Sequence, residues 1–581
     1  MIRLRDRAEG FSSDSNPKPL LRIFGTARPD QPGNSPVTVL FNSGIRGVEL
    51  DLGSGNAGAV GIEFDSAQDC FVEDVRILAR EGCAGMRGLP GRGATTGNCE
   101  IIGGRYGIDT KTVDPMLVGL FLRSQSVAAL RIGASRGTSI VGVEIEDCRG
   151  SGIETVGAGS HEQGNLSIVD LSISLAPGNP APAILNRAQR ALQLRDVYVR
   201  GARKLVDCSG DQDLAGKGDG WVRLIRYHYV PALLNGVRAL HLIDGREVAG
   251  AVVQTTEGEA PTELRRRHIW ARTPSCEDPG VVVIWPLPGE ADNRVAIQQA
   301  IDSNRVVQLA AGRYPVSGPI VLRHRTVLMG VPGLKSVLVP TWRPSRYEWC
   351  IDTEDAAEAD TYLLDLAVDT PDGSDYLGGM RWRVGRNSVA RRFRCFLRAG
   401  HAETNFHNYE ITGNGGGRWY GFHDHASVRR NSGPPHPLYR KVFLAHTTGQ
   451  PITFYGLNLE RGGAQRGDRQ HPFFEAIGAS NIRSFGSKVE TEGPVFRFER
   501  CENVLVSTCV SHTSIPKGAP LLEFQDCRRL EVHNVYLGAK ATIATLDPVP
   551  MLVDRTQAVS VPQGVYLGCF HSGEIDLDVW R

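Results

Sequence analysis

Two glutamates, Glu460 and Glu490, close apolar-polar segments that run Gly449–Glu460 and Asn481–Glu490, and Lys488 stands two residues before the second. Glycoside cleavage calls for such groups: an acid to protonate the leaving oxygen, and a water or second carboxylate on the opposite face. A carboxyl keeps its proton near neutral pH only when partial burial or a neighbouring carboxylate raises its pKa. On adjacent layers of a repetitive β-structure, about 4.8 Å apart, the two glutamates would stack at one height. Their repulsion would raise one pKa, and Lys488 would tune it the other way. Glu492 shares the strand parity of Glu490 and competes for its role. The opposing reading is that such faces carry Glu and Lys only for solubility, and spacing alone leaves both open.

The densest polar-aromatic cluster runs from Gly413 to His425. A glycine loop presenting Trp419, Tyr420 and Phe422 suits stacking on sugar rings. His423, Asp424 and His425 are candidates to bind substrate hydroxyls. As metal ligands His423 and His425 lack a third partner, so no metal is expected. The competing reading is a packed aromatic lid without function. Gln125, in Leu122–Ser126, is a candidate to hold an attacking water, although a strand-end glutamine is ordinarily structural.

These residues need a scaffold, and the scaffold is visible as a repeat. Short β-branched stretches recur at Phe71–Ile77, Ile140–Ile145, Leu166–Ile173 and Leu192–Val199, then at Asn481–Phe485, Asn503–Val506 and Leu530–Leu537. Asn481 to Asn503 is a step of 22 residues and Asp170 to Asp196 one of 26. One coil of a parallel β-helix, three short strands plus turns, needs about that many. Alternation points Val and Ile inward, and the internal Asp or Asn reads as a turn residue or a ladder between coils. The expected fold is all-β: two tandem right-handed parallel β-helices.

Between the halves, Asp292–Asp302 has apolar residues at 297, 300 and 301, the spacing of a helix with Asp292 as N-cap. A helix there would cover the open end of a solenoid. The expected domains are therefore 1–256, a polar Pro-bearing linker at 257–280, and 281–581 with its own capping helix. The first domain is expected to lack such a cap, its first clear strand falling soon after residue 40.

Composition agrees. Gly (67) and Pro (33) are plentiful, aromatics make up 7% and apolar residues 41% of the 581 residues, as many short strands and tight turns require. Lys plus Arg (65) nearly cancels Asp plus Glu (64), leaving a net charge of +1 and no electrostatic case for nucleic acid or an anionic membrane. The twelve cysteines are scattered without metal-ligand spacing and read as buried free thiols. No apolar run reaches the length of a membrane span. Met1–Asp6 lacks the apolar core of a signal peptide, though secretion would suit a polymeric substrate.

The helix-and-strand segment Asp292–Gly330 resembles the opening of the pectate-lyase-like superfamily, in the branch containing glycoside hydrolase family 55. The stretch Gly449–Glu490 is similar to that family's Asn-x-Glu segment (Asn458 to Glu460), followed by Gly-x-Lys-x-Glu (Gly486 to Glu490). The chain departs from the family where a Glu-Asn-Gly-Ser-Gly-Gly stretch is usual; Gly61–Ser66 stands there, and Thr96–Glu100 replaces a glutamine-rich segment. The resemblance implies two β-helices side by side and an inverting glycoside hydrolase acting on a β-1,3-glucan-like polysaccharide. It gives Glu490 the general-acid role and keeps Glu460 as a neighbouring active-site carboxylate. No cofactor is implied, and a monomer is expected rather than a trimer. Two rival functions stay open: a polysaccharide lyase using Lys488 or a nearby Arg as base, and a non-catalytic carbohydrate-binding or spike-type rod.

Overall fold

A computed structural model describes the chain except residues 26–39, 92, 111–114, 134, 158–162, 235–236, 271, 290, 372–373, 375, 397–405, 427–438, 462–471, 491–494, 512–519, 538–551 and 562–564. Glu492 therefore lies outside the described residues. The chain divides into two compact units. The first is Met1–Arg272 with His533–Val535 and Tyr566–Cys569; the second is Thr273–Val532 with Tyr536–Val565 and Phe570–Arg581.

In the first unit the strands from Ile2–Arg3 to Ala191–Arg200 each pair in parallel with the one a coil away, which makes it a parallel β-helix. Register then stacks like on like. One column runs Leu50, Ile77, Ile101, Leu122, Ile145, Ile173 and Val199. A second runs Ile45, Val72, Thr96, Leu117, Ile140, Ile168 and Leu194. The third runs Ile62, Met86, Ile108, Leu130, Ile153, Ile184 and Val206. All are buried, so the core is three largely aliphatic columns on the period-two alternation of the strands. Strands begin earlier than the sequence pattern indicated: Ile2–Arg3 pairs with Glu49–Asp51, and Lys18–Phe24 with Ala59–Asp65. After Ala191–Arg200 the chain reverses, and Trp221–Tyr229 and then Val252–Glu257 add antiparallel.

The internal Asp positions are corners. Asp74, Asp170 and Asp196 all have φ near +50°, as Gly142 has +64°. Asp and Gly tolerate this left-handed region better than other residues. Val141 pairs with Val169 and Val143 with Leu171 on either side of the Gly142–Asp170 corner. The corner carboxylates are occupied: Asp170 Oδ2 lies 2.7 Å from His268 Nε2, Asp74 Oδ1 accepts from Trp270 Nε1 at 3.0 Å, and Asp196 accepts from Arg223 Nε at 2.9 Å. Two of these partners come from the stretch expected to be a linker, and that expectation needs correction. Leu264, His268 and Trp270 are buried, and a Cβ at position 142 would stand 2.6 Å from His268 Cδ2. A polar, Pro-bearing stretch looks like a tether in sequence because its few anchors are spread thinly.

The second unit opens with Val281–Ile284 and the helix Arg294–Ser303, whose buried residues are Ile297, Ala300 and Ile301. The N-cap is Asn293 rather than Asp292. Asp292 Oδ1 still accepts from the Arg294 N–H at 3.0 Å and from the Ser317 N–H at 3.0 Å. The parallel columns here turn aromatic. One runs Val307, Leu328, Leu363, Ala390, Trp419, Phe454, Ser484 and Val506. Another runs Ile320, Ile351, Met380, Tyr409, Val442, Phe474, Phe496 and Leu522. A short ladder adds polar continuity, with Asn503 Nδ2 donating to Asn481 Oδ1 at 2.8 Å and Asn481 Nδ2 to the Gly449 carbonyl at 2.7 Å. No two cysteines are bridged, and all but Cys83 and Cys276 are buried. Among the described residues no helix is long and apolar enough to cross a membrane.

Candidate functional site

Three consecutive coils of the second unit carry one local pattern: Tyr420-Gly421-Phe422-His423-Asp424-His425, Tyr455-Gly456-Leu457-Asn458-Leu459-Glu460, and Phe485-Gly486-Ser487-Lys488-Val489-Glu490. The glycines have φ of +57°, +72° and +66°. Gly421 and Gly456 make corners between one strand and the next, and Gly486 takes the same backbone turn within the strand Ser480–Glu490. The Gly421 N–H donates to the Tyr455 carbonyl at 2.9 Å, and the Gly456 N–H to the Phe485 carbonyl at 2.8 Å, so the corners stack. From there the register is fixed. His423 pairs with Asn458 and Asn458 with Lys488; His425 pairs with Glu460 and Glu460 with Glu490.

Glu460 and Glu490 therefore occupy directly opposed positions on adjacent strands, a separation of about 4.8 Å between backbones. His425 extends that row by one coil. The row two residues earlier holds His423, Asn458 and Lys488. Asn458 and Lys488 are buried, an ammonium group included. The Asn458 amide oxygen and nitrogen have no hydrogen-bonding partner among the described residues. Leaving a buried amide unsatisfied costs about 1–3 kcal/mol.

Three other expected site residues are corrected. Trp419 is fully buried in the aromatic column, its ring centroid 4.8 Å from Phe422, 5.5 Å from Phe454 and 5.6 Å from Trp382. Tyr420 is also buried, stacked 4.7 Å from Tyr455 with 6° between planes, and burial pushes its phenol well above the usual range. Neither presents a face to a sugar. The glycines before them form a corner, not a projecting loop, and the strand Gly417–Tyr420 begins at once. Gln125 is likewise interior. Its Nε2 donates to the carbonyls of Ile101, Gly103 and Arg123 at 3.1, 3.1 and 2.9 Å, so it ties a coil junction and holds no water in a groove.

A second charged patch escaped the sequence reading. Asp352, Arg381 and Glu410 pair in register on successive coils of another sheet of the second unit. Asp352 accepts from Arg381 Nε at 3.0 Å and from Arg383 Nη2 at 3.1 Å, and the Arg381 guanidinium lies 4.5 Å from the Trp349 ring centroid. Glu410 is half-buried, and that burial raises its carboxyl pKa against the pull of Arg381, with Asp352 adding to the rise. Nothing in a single strand's sequence reveals which residue the next coil brings alongside.

No family model and no curated protein matches the chain. Solved structures do. The chain is similar to sacteLam55A from Streptomyces sp. SirexAA-E at 11% identity, over 97% of this chain and 91% of that one, with a TM-score of 0.36. ORF18 of Geobacillus virus E2 matches at 12% identity over 59% and 70%, with a TM-score of 0.28. The PL6 family alginate lyase AlyGC matches at 10% over 92% and 86%, with a TM-score of 0.17. The fold assignment rests on the strand pairing of the chain itself.

Proposed function

We propose that this chain is a carbohydrate-active enzyme, an inverting glycoside hydrolase acting on a β-1,3-glucan-like polysaccharide. The observation that carries the reading is the opposition of Glu460 and Glu490 in one register row, beside a buried row of Asn458 and Lys488. Two carboxyls so placed do not both ionise freely, and one keeps its proton at a pH where a lone glutamate has lost it. Glu490 is the general acid, and Glu460 raises its pKa. Lys488, on the neighbouring row, limits how far that rise goes. An inverting reaction sets acid and base about 6.5–9.5 Å apart to admit a water. Adjacent strands bring two residues closer than that. The opposed pair therefore acts as one acid with its modulator, and the base lies elsewhere. His423 and His425, next along the same rows, are proposed to bind substrate hydroxyls. The working state is proposed to be the monomer.

The test is release of reducing sugar from a soluble β-1,3-glucan, with the anomer tracked by NMR. Wild-type protein is expected to release the inverted anomer and Glu490→Gln to lose turnover. Full activity in Glu490→Gln would remove the acid assignment. A product absorbing in the near ultraviolet from an acidic polymer would replace hydrolysis with elimination.

A further inference from the structure

Three ligand-type side chains, remote in sequence, meet inside the first unit with its two short C-terminal segments. His228 lies on Trp221–Tyr229, His533 on Arg528–Leu537 and Cys569 on Val565–Ser572. Their ligand atoms all lie within 4.8 Å of one another, and all three residues are buried. The two imidazole rings stand 4.8 Å apart at 53°, tilted rather than stacked.

The chemistry of this set is selective. Two imidazole nitrogens and one sulfur, without a carboxylate, disfavour Mg²⁺ and Ca²⁺, which take oxygen, and suit borderline-soft d-block ions. Tetrahedral Zn²⁺ bonds nitrogen at about 2.0–2.1 Å and thiolate sulfur at about 2.3 Å, which sets these ligand atoms about 3.3–3.6 Å apart. Side-chain movements of about an ångström reach that geometry.

The surroundings hold the ligands in place. Asn534, next to His533, donates from Nδ2 to Ser167 Oγ at 2.6 Å and accepts from the Tyr566 hydroxyl at 2.6 Å. This fixes the backbone on both C-terminal segments. Beside Cys569, Gly568 leaves room for another imidazole: a Cβ there would stand 2.8 Å from His241 Cε1 and 3.0 Å from His241 Nδ1. His241 is buried, and neither of its ring nitrogens has a hydrogen-bonding partner among the described residues. An unpartnered buried imidazole at the edge of a His–His–Cys cluster is the second sign of an occupant.

We propose that His228, His533 and Cys569 bind one Zn²⁺ ion in a structural site, with His241 as the candidate fourth ligand. The proposal is independent of the reaction proposed above. On binding, the Cys569 thiol loses its proton to solvent, a sulfur–zinc bond forms, and each histidine donates a lone pair from a neutral ring. No electron changes hands. The ion would clasp segments that lie far apart in the chain, so its free energy of binding would add to that of folding.

The test uses the full chain. Protein purified with zinc and then dialysed is expected to retain one equivalent by mass spectrometry. Chelated protein refilled with Co²⁺ is expected to show thiolate-to-cobalt charge transfer in the near ultraviolet and the strong visible bands of a tetrahedral ion. Cys569→Ser is expected to abolish the charge-transfer band. His533→Gln is expected to weaken zinc by more than about a hundredfold, since even outer-shell partners account for that much. His324→Gln, at an exposed position elsewhere, should change neither. Should a variant not fold, wild-type protein decides: one equivalent of Zn²⁺ should raise Tm by several degrees, reversed by chelator and not reproduced by Mg²⁺. Absence of retained zinc, a zinc-independent Tm, or a cobalt spectrum unchanged in Cys569→Ser would each overturn the site.

Discussion

Both units use the same kind of corner, but they place different charges just past it. In the first unit the corner residues Asp74 and Asn98 precede Arg76 and Glu100, and Glu49 lies on the coil before. Arg76 reaches Glu49 at 2.8 Å and Glu100 at 3.5 Å, so charge alternates along the stack. Later, four residues past Gly119 and Gly142, Arg123 faces Glu146 at 2.7 Å. In the second unit the equivalent place, four residues past Gly456 and Gly486, holds Glu460 opposite Glu490. Opposite charges on facing positions stabilise a sheet and like charges destabilise it, by about 0.2–1 kcal/mol. One solenoid uses these positions for stability. The other faces glutamate with glutamate there, as the proposed acid and its modulator require.

The sharpest way to break this contrast is a pair of matched substitutions. Glu490→Gln is expected to reduce glucan hydrolysis by about 10²–10⁴-fold, the range for loss of a general acid. Glu146→Gln, four residues past its corner in the first unit as Glu490 is in the second, should leave hydrolysis unchanged. Equal effects on reducing-sugar release would end the distinction. Next in size, Trp419→Ala should cost about 3–5 kcal/mol in urea unfolding, as for a large aromatic removed from a core. A sugar platform would lose affinity and keep stability.

Asn458→Leu should stabilise the protein by about 1–3 kcal/mol, since it removes an unsatisfied buried amide, while lowering turnover. Lost stability with intact turnover would make Asn458 an ordinary core residue. The smallest effect belongs to the first unit's ion pairs. The hydrogen bond from Arg80 to Asp51 holds that carboxyl at about 2, below its usual 3.8. Its stabilisation is then present above about pH 4 and fades as pH falls toward 2. Arg80→Ala should lower the denaturation midpoint at pH 6 and converge with wild type near pH 2.

Much of the scaffold was legible because a solenoid repeats its instructions. Val and Ile at alternate positions announced the inward columns, and Ile297, Ala300 and Ile301 announced the helix. The side assignment of Trp419 and Tyr420 was not legible, because the glycines at 415–417 look the same before a buried strand as in a surface loop. The row of His425, Glu460 and Glu490 was half legible: two copies of the Gly-x-polar-x-Glu pattern stand out, and the third, Gly421 to His425, is hidden by its histidines. His228, His533 and Cys569 have no shared local signal at all, since only the folded chain makes them neighbours.

The reversal at Trp221–Tyr229 has a consequence for the molecule among its own copies. A stack of parallel rungs offers its last rung as a template, and a second chain could continue it indefinitely. Here the final additions run backwards, so the strand at the edge, Val252–Glu257, no longer carries the register of the parallel rungs and is not a copy of the template beneath it.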